Sequence, residues 1–351
     1  MNIHSFDISR IKIPLARPFV TAVRRADAVE AVRITLRCED GICGLGEAPA
    51  SALITGETLP SIEEAIKTYI APAIIGKSAE SNLNHEIQSA IHGNSSAKAA
   101  VEMAFMNLRT QVLGIPLYRL LGEEKKARNL TNDITISIGS LDSMTADALS
   151  AINEGHSILK IKSGSQAETD ARQLIGLWQN IRSRQVLLRI DANQGWSPSQ
   201  AIKIIQAWED ASIPIDIIEQ PVPAWDFEGM AEVAAYSSFP VAADESVFSP
   251  RDALRCIQMK AAQVINIKLM KCGGLNRAVE ICNLCRQNGL ECMIGCMLES
   301  EISVAAAAHL AASQPVITRV DLDAPLLYAP GFNTGSNPEF CGPSIKFKVK
   351  P

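Results

Sequence analysis

The chain has 351 residues, of which 47% are hydrophobic, 20% are charged and 5% are aromatic. This apolar fraction is typical of a folded globular protein and excludes a collagen, a coiled coil or a disordered segment as a description of the whole chain. The 33 Lys and Arg residues against 38 Asp and Glu residues leave a formal net charge of -5, which excludes the electrostatic footprint of a nucleic-acid or acidic-membrane partner. The length suits two domains, or one large barrel with an appendage.

Neither a signal peptide nor a membrane span is predicted. Residues 1–13 alternate apolar and polar side chains and include Asp7, so they lack the apolar core of a signal peptide. The Ala-rich stretch 302–312 is broken by Ser303 and His309, and no apolar run approaches the ~18 residues of a membrane span. The 9 cysteines, an odd number without an export signal, predict reduced thiols. We therefore expect a cytoplasmic protein.

The first third of the chain has an α+β pattern. Residues 3–13 and 28–36 alternate as antiparallel strands with one solvated face do, and the turn Asp40-Gly41 leads into a third apolar segment, 42–45. Helical patterns follow over 61–70, 83–91 and 97–113. The last of these ends at a glycine that is soon followed by a proline, as a helix C-terminus should.

From about residue 130 the pattern changes to short apolar runs that alternate with amphipathic stretches. The eight runs span 134–138, 158–161, 186–190, 213–218, 240–243, 264–267, 290–294 and 316–320. The helical patterns between them include 167–181, 199–208, 251–257, 275–287 and 302–312. Continuous apolar strands that alternate with helices indicate parallel βα units covered on both faces, and eight such units predict a closed (β/α) barrel.

A polar or thiol side chain lies at or near the C-terminal end of each run. These residues are Thr135, Lys162, Asp191, Glu219, Asp244, Lys268, Cys296 and Asp321, and successive positions are 24 to 29 residues apart. The C-terminal ends of barrel strands converge on one mouth, so these side chains are expected to meet in space. Each one taken alone has the alternative of a solvated loop charge, but the series in phase favours a shared site.

Three carboxylates, Asp191, Glu219 and Asp244, follow consecutive runs. Unpaired in one pocket they would repel one another and be driven to bind protons. A hard divalent cation resolves this, and an all-oxygen ligand set favours Mg²⁺ or Mn²⁺ over zinc. A salt-bridge network with nearby lysines is the structural alternative.

Two lysines, Lys162 and Lys268, follow the second and sixth runs, which stand opposite each other in a ring of eight strands. A lysine acts as a general base when its pKa falls from ~10.4 toward neutrality, which a nearby cation and a second ammonium group favour. Two opposed bases with a metal suit the removal of a proton from one face of a carbon acid and its return to the other. The carbon acid must carry a carboxylate, because the metal then stabilises the enediolate.

The sequence strongly resembles the muconate-lactonising subgroup of the enolase superfamily. The motifs that carry the resemblance are Lys160-Ile-Lys162, Asp191-Ala-Asn-Gln-Gly-Trp196, Ile218-Glu219-Gln220-Pro221, Ala243-Asp244-Glu245-Ser246, and Asn266-Ile-Lys268 with Gly273-Gly274. Within the subgroup, Ile54-Thr-Gly-Glu-Thr58 and Asp321-Leu-Asp323 look like the dipeptide epimerases, of which the best known acts on L-Ala-D/L-Glu. The resemblance covers essentially the whole chain, including 114–122 ahead of the barrel.

The resemblance implies an α/β fold, a modified (β/α)7β TIM-like barrel with an N-terminal α+β capping domain. Residues 1–125 would form the capping domain with a contribution from about 325–351, and 126–324 would form the catalytic barrel. Mg²⁺ would be held by Asp191, Glu219 and Asp244, with Mn²⁺ as the alternative ion.

Roles for the remaining residues also follow from the resemblance. Lys162 would serve the L face of the substrate carbon and Lys268 the D face, while Lys160 would support Lys162 and the bound carboxylate. Asp321 and Asp323 would hold the ammonium group of the dipeptide, which is chemically sensible for a cation one residue away from the reacting carbon. Thr135 and Cys296 complete the predicted substrate-binding set.

Specificity would come from the capping domain. Arg24 matches an arginine that pairs with the glutamate side chain in the Ala-Glu epimerases, and residues 54–56 would form a second covering loop. The alternative for Arg24 is a solvated loop charge. Cys296 stands where relatives often carry serine, a better hydrogen-bond donor, which makes hydrophobic dipeptides plausible alongside L-Ala-L-Glu.

The leading interpretation is a Mg²⁺-dependent isomerase that epimerises the C-terminal residue of L-Xaa-L-Xaa dipeptides by two-base 1,1-proton transfer. The alternatives are an o-succinylbenzoate synthase, an N-acylamino acid racemase or a cycloisomerase of the same subgroup, and a ligand-binding barrel without catalysis. A zinc site at Cys282, Cys285, Cys292 and Cys296 is disfavoured, since the first pair lies on a helix outside the barrel. The expected partner is a small-molecule dipeptide, and the chain is expected to form a homo-oligomer.

Overall fold

The computed structural model describes residues 1–20, 25–122, 127–164, 166–332 and 337–348. The chain begins with an antiparallel three-stranded sheet of β1 (Ile3–Val20), β2 (Arg25–Cys38) and β3 (Cys43–Pro49), in that order. The sheet confirms the predicted strands and extends them, because the β1–β2 pairing continues outward to Phe19 opposite Ala26. Its far end projects toward the mouth of the barrel, where Phe19 lines the pocket described below.

Four helices follow this sheet in the chain, and two of them, the first and the third, pack against it. They are α1 (Leu59–Ala65), which continues into a π-helical turn (Ile66–Ile70), α2 (Asn84–Ser89), α3 (Ser95–Leu113) and α4 (Leu117–Leu121). The long helix α3 packs directly on β3, and a Cβ atom at Gly46 would lie 2.0 Å from the Ala100 carbonyl oxygen. Only glycine permits this approach of strand and helix.

The barrel follows a two-residue strand, β4 (Leu130–Thr131). Its eight parallel strands are β5 (Ile134–Ile136), β6 (Ile158–Lys162), β7 (Leu187–Asp191), β8 (Ile215–Glu219), β9 (Val241–Ala243), β10 (Val264–Ile267), β11 (Glu291–Gly295) and β12 (Ile317–Asp321). They pair in sequence order, so the eight predicted runs are confirmed as neighbouring strands. The first strand is shorter than the predicted run 134–138, and Thr135 is its middle residue.

Helices between the strands surround the barrel. They are α5 (Leu141–Asn153), α6 (Ala167–Ile181), α7 (Pro198–Asp210), α8 (Phe227–Tyr236), α9 (Pro250–Met259), α10 (Leu269–Cys272), α11 (Leu275–Gln287) and α12 (Glu301–Ser313). Inside the ring, Ile217, Ala242, Val264 and Met293 form a separate buried apolar cluster. This cluster fills the barrel interior from one strand to the next, so the centre of the fold is packed and not a pore.

The last part of the chain contacts both regions. After a 3-10 turn (Ala324–Leu327), Tyr328 forms a bridge with Leu15 of β1, and the Ala329 N–H donates to the Pro14 carbonyl at 2.8 Å. Strands β13 (Glu339–Cys341) and β14 (Ser344–Lys346) then form a small antiparallel sheet with β4. The expected domain boundary at residue 125 falls outside the described residues. Among those that are described, no helix has the length and apolar character needed to cross a membrane.

Candidate active site

One pocket lies at the C-terminal ends of the barrel strands, beneath the outer end of the N-terminal sheet. Predicted site residues that line it are Thr135, Lys160, Lys162, Asp244, Lys268, Cys296, Asp321 and Asp323. Asp191 and Glu219 are fully buried beside the pocket in contact with its lysines. The structure therefore brings together ten of the eleven predicted residues. Arg24, the eleventh, lies outside the described residues.

The strand register explains why these side chains share the barrel interior. Lys162 pairs with Asp191, Asp191 with Glu219, and Gly295 with Asp321 across neighbouring strands. Residues two apart on a strand point to the same side, so Lys160 follows Lys162 inward. Gly295 makes room on the next strand, since a Cβ atom there would lie 2.9 Å from Lys268 Cε.

Lys160 is the centre of the buried charge cluster. Its Nζ lies 2.6 Å from Asp321 Oδ2, 2.8 Å from Glu219 Oε2 and 3.1 Å from Asp191 Oδ2. Burial alone would lower the pKa of Lys160, but the three carboxylates outweigh it and raise the pKa well above its ordinary value. Lys160 therefore stays charged and suits an electrostatic role rather than that of a base.

The two predicted bases each pair with a different carboxylate. Lys162 Nζ lies 2.6 Å from Asp191 Oδ2, and Lys268 Nζ lies 2.7 Å from Asp244 Oδ2. Burial opposes the charge of Lys268, but Asp244 outweighs burial and raises the pKa of this lysine. Asp244 thus stabilises the ammonium form of Lys268, whereas the predicted role of this lysine as a base requires a lower pKa.

A third lysine beside this pair was not predicted. Lys271 is almost fully buried, lies 2.5 Å from Asp244 Oδ1, and also donates to the Asn266 carbonyl at 3.0 Å. Its Nζ thus joins the end of β9 to the end of β10. The sequence feature that could have indicated Lys271 is its position one helical turn after Lys268. Its helix is too short for a hydrophobic pattern to predict that the side chain is buried.

The carboxylates of the cluster carry more negative charge than the site tolerates. Burial, reinforced by Asp191, raises the pKa of Glu219 to about 8. Burial would also raise the pKa of Asp191, but Lys162 and Lys160 hold it below its ordinary value. Glu219 is thus driven toward its protonated form, which is the behaviour expected of crowded carboxylates.

The donor set has the chemistry of a divalent-cation site. Among the described residues, no three His, Cys, Asp or Glu side chains stand in the geometry of a closed metal site, because the carboxylates are directed at ammonium groups. Six buried carboxylates nevertheless face four buried lysines at these strand ends: Asp191, Glu219, Asp244, Glu245, Asp321 and Asp323 against Lys160, Lys162, Lys268 and Lys271. In addition, Oε2 of Glu245 and Oδ1 of Asn193 have no hydrogen-bond partner in the described chain. A hard cation with oxygen ligands would relieve both conditions.

Glu245 and Asn193 are pocket residues that the sequence interpretation left without a role. Asn193 Nδ2 donates to Glu245 Oε1 at 3.2 Å, and both side chains line the pocket. Burial, and then the charge of Asp244, raise the pKa of Glu245 to about 7. Both residues stand inside the motifs around Asp191 and Asp244, which was the only available signal.

Asp321, the last residue of β12, and Asp323, two residues later, both line the pocket. The backbone N–H of Thr135 donates to Asp323 Oδ2 at 2.8 Å, so Thr135 acts here through its backbone. Burial, followed by the charge of Asp321, raises the pKa of Asp323 to about 6. Near neutral pH the pair therefore presents negative charge to any cationic group that enters.

The remaining wall of the pocket is apolar. Its described residues are Phe19, Ile54, Cys296, Met297, Leu298 and Leu327. The wall is braced from behind, because Glu299 Oε1 accepts from the Met297 N–H at 2.7 Å and Tyr328 packs against Leu298. Burial raises the pKa of the Cys296 thiol well above its ordinary value, so this side chain behaves as a small apolar group.

Two other sequence interpretations concern residues outside this pocket. Trp196 is buried, stacks edge-on against Trp208 and donates from Nε1 to Asp170 Oδ2 at 2.9 Å, as expected of a packing residue. Cys282 and Cys285 lie on α11 and Cys292 on β11, all buried, away from Cys296 in the pocket wall.

Comparison with known proteins places the chain in a family. Residues 6–122 match the mandelate racemase/muconate lactonizing enzyme N-terminal domain, and residues 143–346 match the enolase C-terminal domain-like family. The L-Ala-D/L-Glu epimerase of Clostridium acetobutylicum is 44% identical over 93% of this chain and 91% of its own length.

Two solved structures superpose on essentially the whole length of this chain. A substrate-liganded complex of the L-Ala-D/L-Glu epimerase from Bacillus subtilis superposes with a TM-score of 0.94 at 41% identity, covering 100% of this chain and 98% of its own. A dipeptide epimerase from Enterococcus faecalis, complexed with Mg and the dipeptide L-Leu-L-Tyr, gives a TM-score of 0.93 at 35% identity over 99% of this chain and 98% of its own. The chain therefore belongs to the enolase superfamily, with the two domains of its mandelate racemase/muconate lactonizing enzyme branch, and is an enzyme of the isomerase class.

Proposed function

We propose that the enzyme is a Mg²⁺-dependent dipeptide epimerase that inverts the α-carbon of the C-terminal residue by two-base 1,1-proton transfer. The observation that carries the proposal is the placement of Lys162 and Lys268. Lys162 is the last residue of β6, and Lys268 directly follows β10, four strands away in the ring. Both lysines line the same pocket. A carbon held between them is exposed to one ammonium or amine group on each face.

In this proposal Lys162 removes the α-proton of the L residue and Lys268 returns a proton to the opposite face. The reverse reaction exchanges the two roles. Each lysine must be neutral when it accepts the proton. Asp191 pairs with Lys162, and Asp244 pairs with Lys268 and stabilises its ammonium form. Engagement of these carboxylates by another cation would remove that stabilisation and favour proton transfer from substrate to lysine.

The proposed ligands of the cation are Asp191, Glu219 and Asp244, with Mg²⁺ as the first choice and Mn²⁺ as the alternative. Such an ion supplies positive charge that offsets the charge a substrate carboxylate gains as its α-proton leaves. Lys160, which stays charged, adds to this offset from the centre of the cluster. The raised pKa of Glu219 supports its assignment as a ligand, because a bound divalent cation would favour the ionised carboxylate.

The proposed substrate class follows from the acidic pair and the apolar wall of the pocket. Asp321 and Asp323 are proposed to bind the ammonium group of the N-terminal residue, while the apolar wall receives side chains. Relatives named for L-Ala-D/L-Glu and for hydrophobic dipeptides support a dipeptide substrate. A cycloisomerase or o-succinylbenzoate synthase activity is disfavoured, since a substrate without an ammonium group would bring no positive charge to the buried carboxylates of Asp321 and Asp323.

The test is ¹H NMR of L-Ala-L-Glu and L-Ala-L-Phe in D₂O with the enzyme and Mg²⁺. We expect loss of the α-proton signal of the C-terminal residue and appearance of the L,D diastereomer. A dipeptide library then identifies the preferred side chains. Absence of exchange across the library would refute the proposal, and exchange without the diastereomer would refute its two-base form.

A further inference from the structure

The loop that carries Ile54 over the pocket is held by a buried carboxylate. Glu57 is 4% exposed, and its Oε2 accepts from the Ser96 N–H at 2.9 Å while Oε1 accepts from the Ala97 N–H at 3.1 Å. These are two of the first backbone N–H groups of α3, which its own helix cannot satisfy. A residue of a distant loop thus caps this 19-residue helix.

The helix depends on this outside partner. Its own cap residue, Asn94, has a left-handed backbone with φ of 51° and makes no side-chain cap. A carboxylate at a helix N-terminus gains from both the free N–H groups and the helix dipole. The interaction also acts on the loop, because it holds Glu57 three residues after Ile54.

A second set of bonds holds the loop to the same helix end. Ser96 Oγ donates to Thr55 Oγ1 at 3.2 Å, and Thr55 Oγ1 donates to the Ser51 carbonyl at 3.3 Å. The Ile54 N–H also donates to the Ser51 carbonyl, at 2.9 Å. The loop is therefore a tight turn closed by its own backbone, and the side chains of Thr55 and Glu57 tie it to the first turn of α3.

The same helix is fixed to the barrel by another buried carboxylate. Glu102, fully buried on α3, accepts from the Asn276 N–H at 2.9 Å in the first turn of α11. A Cβ atom at Gly274 would lie 1.6 Å from Glu102 Oε2, so only glycine admits this contact. Gly274 and the short helix α10 connect directly back to Lys268.

These contacts place the pocket cover and a proposed base on one rigid element. We propose that Glu57 is a positioning residue that fixes Ile54 over the substrate pocket relative to Lys268. The inference rests on the proposed function, because its selectivity test uses dipeptide substrates. It predicts that Glu57, which does not line the pocket, controls the selectivity of the enzyme through Ile54.

The first experiment measures selectivity. In Glu57→Ala we expect the ratio of kcat/KM for L-Ala-L-Phe to that for L-Ala-L-Ala to change by about tenfold, while kcat for L-Ala-L-Ala stays within about twofold. Ile54→Ala should change the ratio in the same direction. If Glu57 acts through Ile54, the double variant changes the ratio no further than Ile54→Ala alone. An unchanged ratio in Glu57→Ala, or two changes that multiply, would overturn the proposal.

The matched control removes an ordinary helix cap. Asp226 caps α8 by accepting from the Gly229 N–H at 2.8 Å, and no residue of α8 lines the pocket. Asp226→Ala should lower the stability as a cap loss does, without moving the selectivity ratio. If Glu57→Ala fails to fold, Glu57→Gln takes its place, since its amide keeps the volume but accepts with one oxygen only.

A second readout does not depend on turnover. Hydrogen–deuterium exchange followed by mass spectrometry should show faster exchange over 51–58 and at the start of α3 in Glu57→Gln, and wild-type rates there in Asp226→Ala. Wild-type exchange in Glu57→Gln would overturn the positioning role even in an active enzyme. A wild-type enzyme that turns over no dipeptide would refute the proposed function and leave the exchange result to decide the role of Glu57.

Discussion

The Arg189 guanidinium on β7 reaches across the barrel interior and donates from Nη1 to the Val320 carbonyl of β12 at 2.8 Å. The same nitrogen lies 2.8 Å from Asp133 Oδ2, directly ahead of β5. β5 and β12 are the two edges of the eight-stranded sheet. In the described chain, one backbone hydrogen bond accompanies this contact, from the Asp133 N–H to the Val320 carbonyl at 3.4 Å. Arg189 therefore closes the barrel from inside, one layer below the pocket.

Arg189→Met should destabilise the fold, because it leaves the fully buried Asp133 without its charge partner. We expect a loss of about 3–5 kcal/mol in the free energy of unfolding, measured by urea denaturation. Arg172→Met on the exposed face of α6 is the control and should stay within about 0.5 kcal/mol of wild type. An equally small change in the free energy of unfolding of Arg189→Met would show that β5 and β12 stay together without this residue.

Lys162→Ala and Lys268→Ala should separate the two faces of the proposed reaction. Lys162→Ala is expected to slow both epimerisation and the exchange of the L,L dipeptide severely, while the L,D epimer still exchanges its α-proton through Lys268. Lys268→Ala should show the opposite pattern, with epimerisation lowered by about 10²–10⁴-fold in each. Deuterium incorporation in D₂O followed by NMR is the measurement. Lys203→Ala on exposed α7 is the control, and full epimerisation in either single variant contradicts a two-base reaction.

Glu219→Gln should weaken Mg²⁺ binding. The substitution keeps the shape but removes one of three proposed anionic ligands, so we expect the affinity to fall by at least about 100-fold. Isothermal titration calorimetry measures this directly, independent of activity. Glu168→Gln, on exposed α6, should bind Mg²⁺ as wild type does. Equal affinities in both variants would exclude Glu219 as a ligand.

Asp323→Asn should reduce the preference for a free substrate ammonium. Loss of a charge-assisted contact is expected to lower kcat/KM for L-Ala-L-Phe by about 10- to 100-fold and to change the value for the N-acetylated dipeptide little. Because burial and Asp321 raise the pKa of Asp323 to about 6, wild-type kcat/KM should also fall as the pH drops through 6. A parallel loss for both substrates would assign Asp323 a general structural role.

His309 should make the fold sensitive to acid. Burial among Tyr118 and Phe347 lowers its pKa from 6.5 to about 4, so the folded state binds fewer protons than the unfolded state between these values. The stability is therefore present above pH 6.5 and is lost as the pH falls toward 4, by about 3 kcal/mol relative to His309→Gln. Urea denaturation at several pH values measures the difference. Exposed His85→Gln should keep the wild-type profile, and an identical profile in His309→Gln would contradict the prediction.

Much of the site was accessible from local pattern. Strand residues alternate in direction and parallel βα units repeat at a regular length, so the positions from Lys162 to Asp321 could be assigned to one mouth before any contact was known. The family followed from motifs around these same positions, and the comparisons confirm it.

Pattern could not reveal contacts between elements that are far apart in the chain. Glu57 meets Ser96 after 39 residues, and Glu102 meets Asn276 after 174, because separate helices and loops pack against each other. Lys271 lies on a four-residue helix, too short for periodicity to report burial.

The sequence by itself thus determined the order of the strands and which side chains face the barrel mouth, since both depend on local geometry. Only the tertiary structure decided which charges pair, that Lys268 keeps a stabilised ammonium beside Asp244, and that a buried glutamate outside the pocket holds its covering loop. Those properties depend on distance and burial, which arise only when distant segments exclude water together.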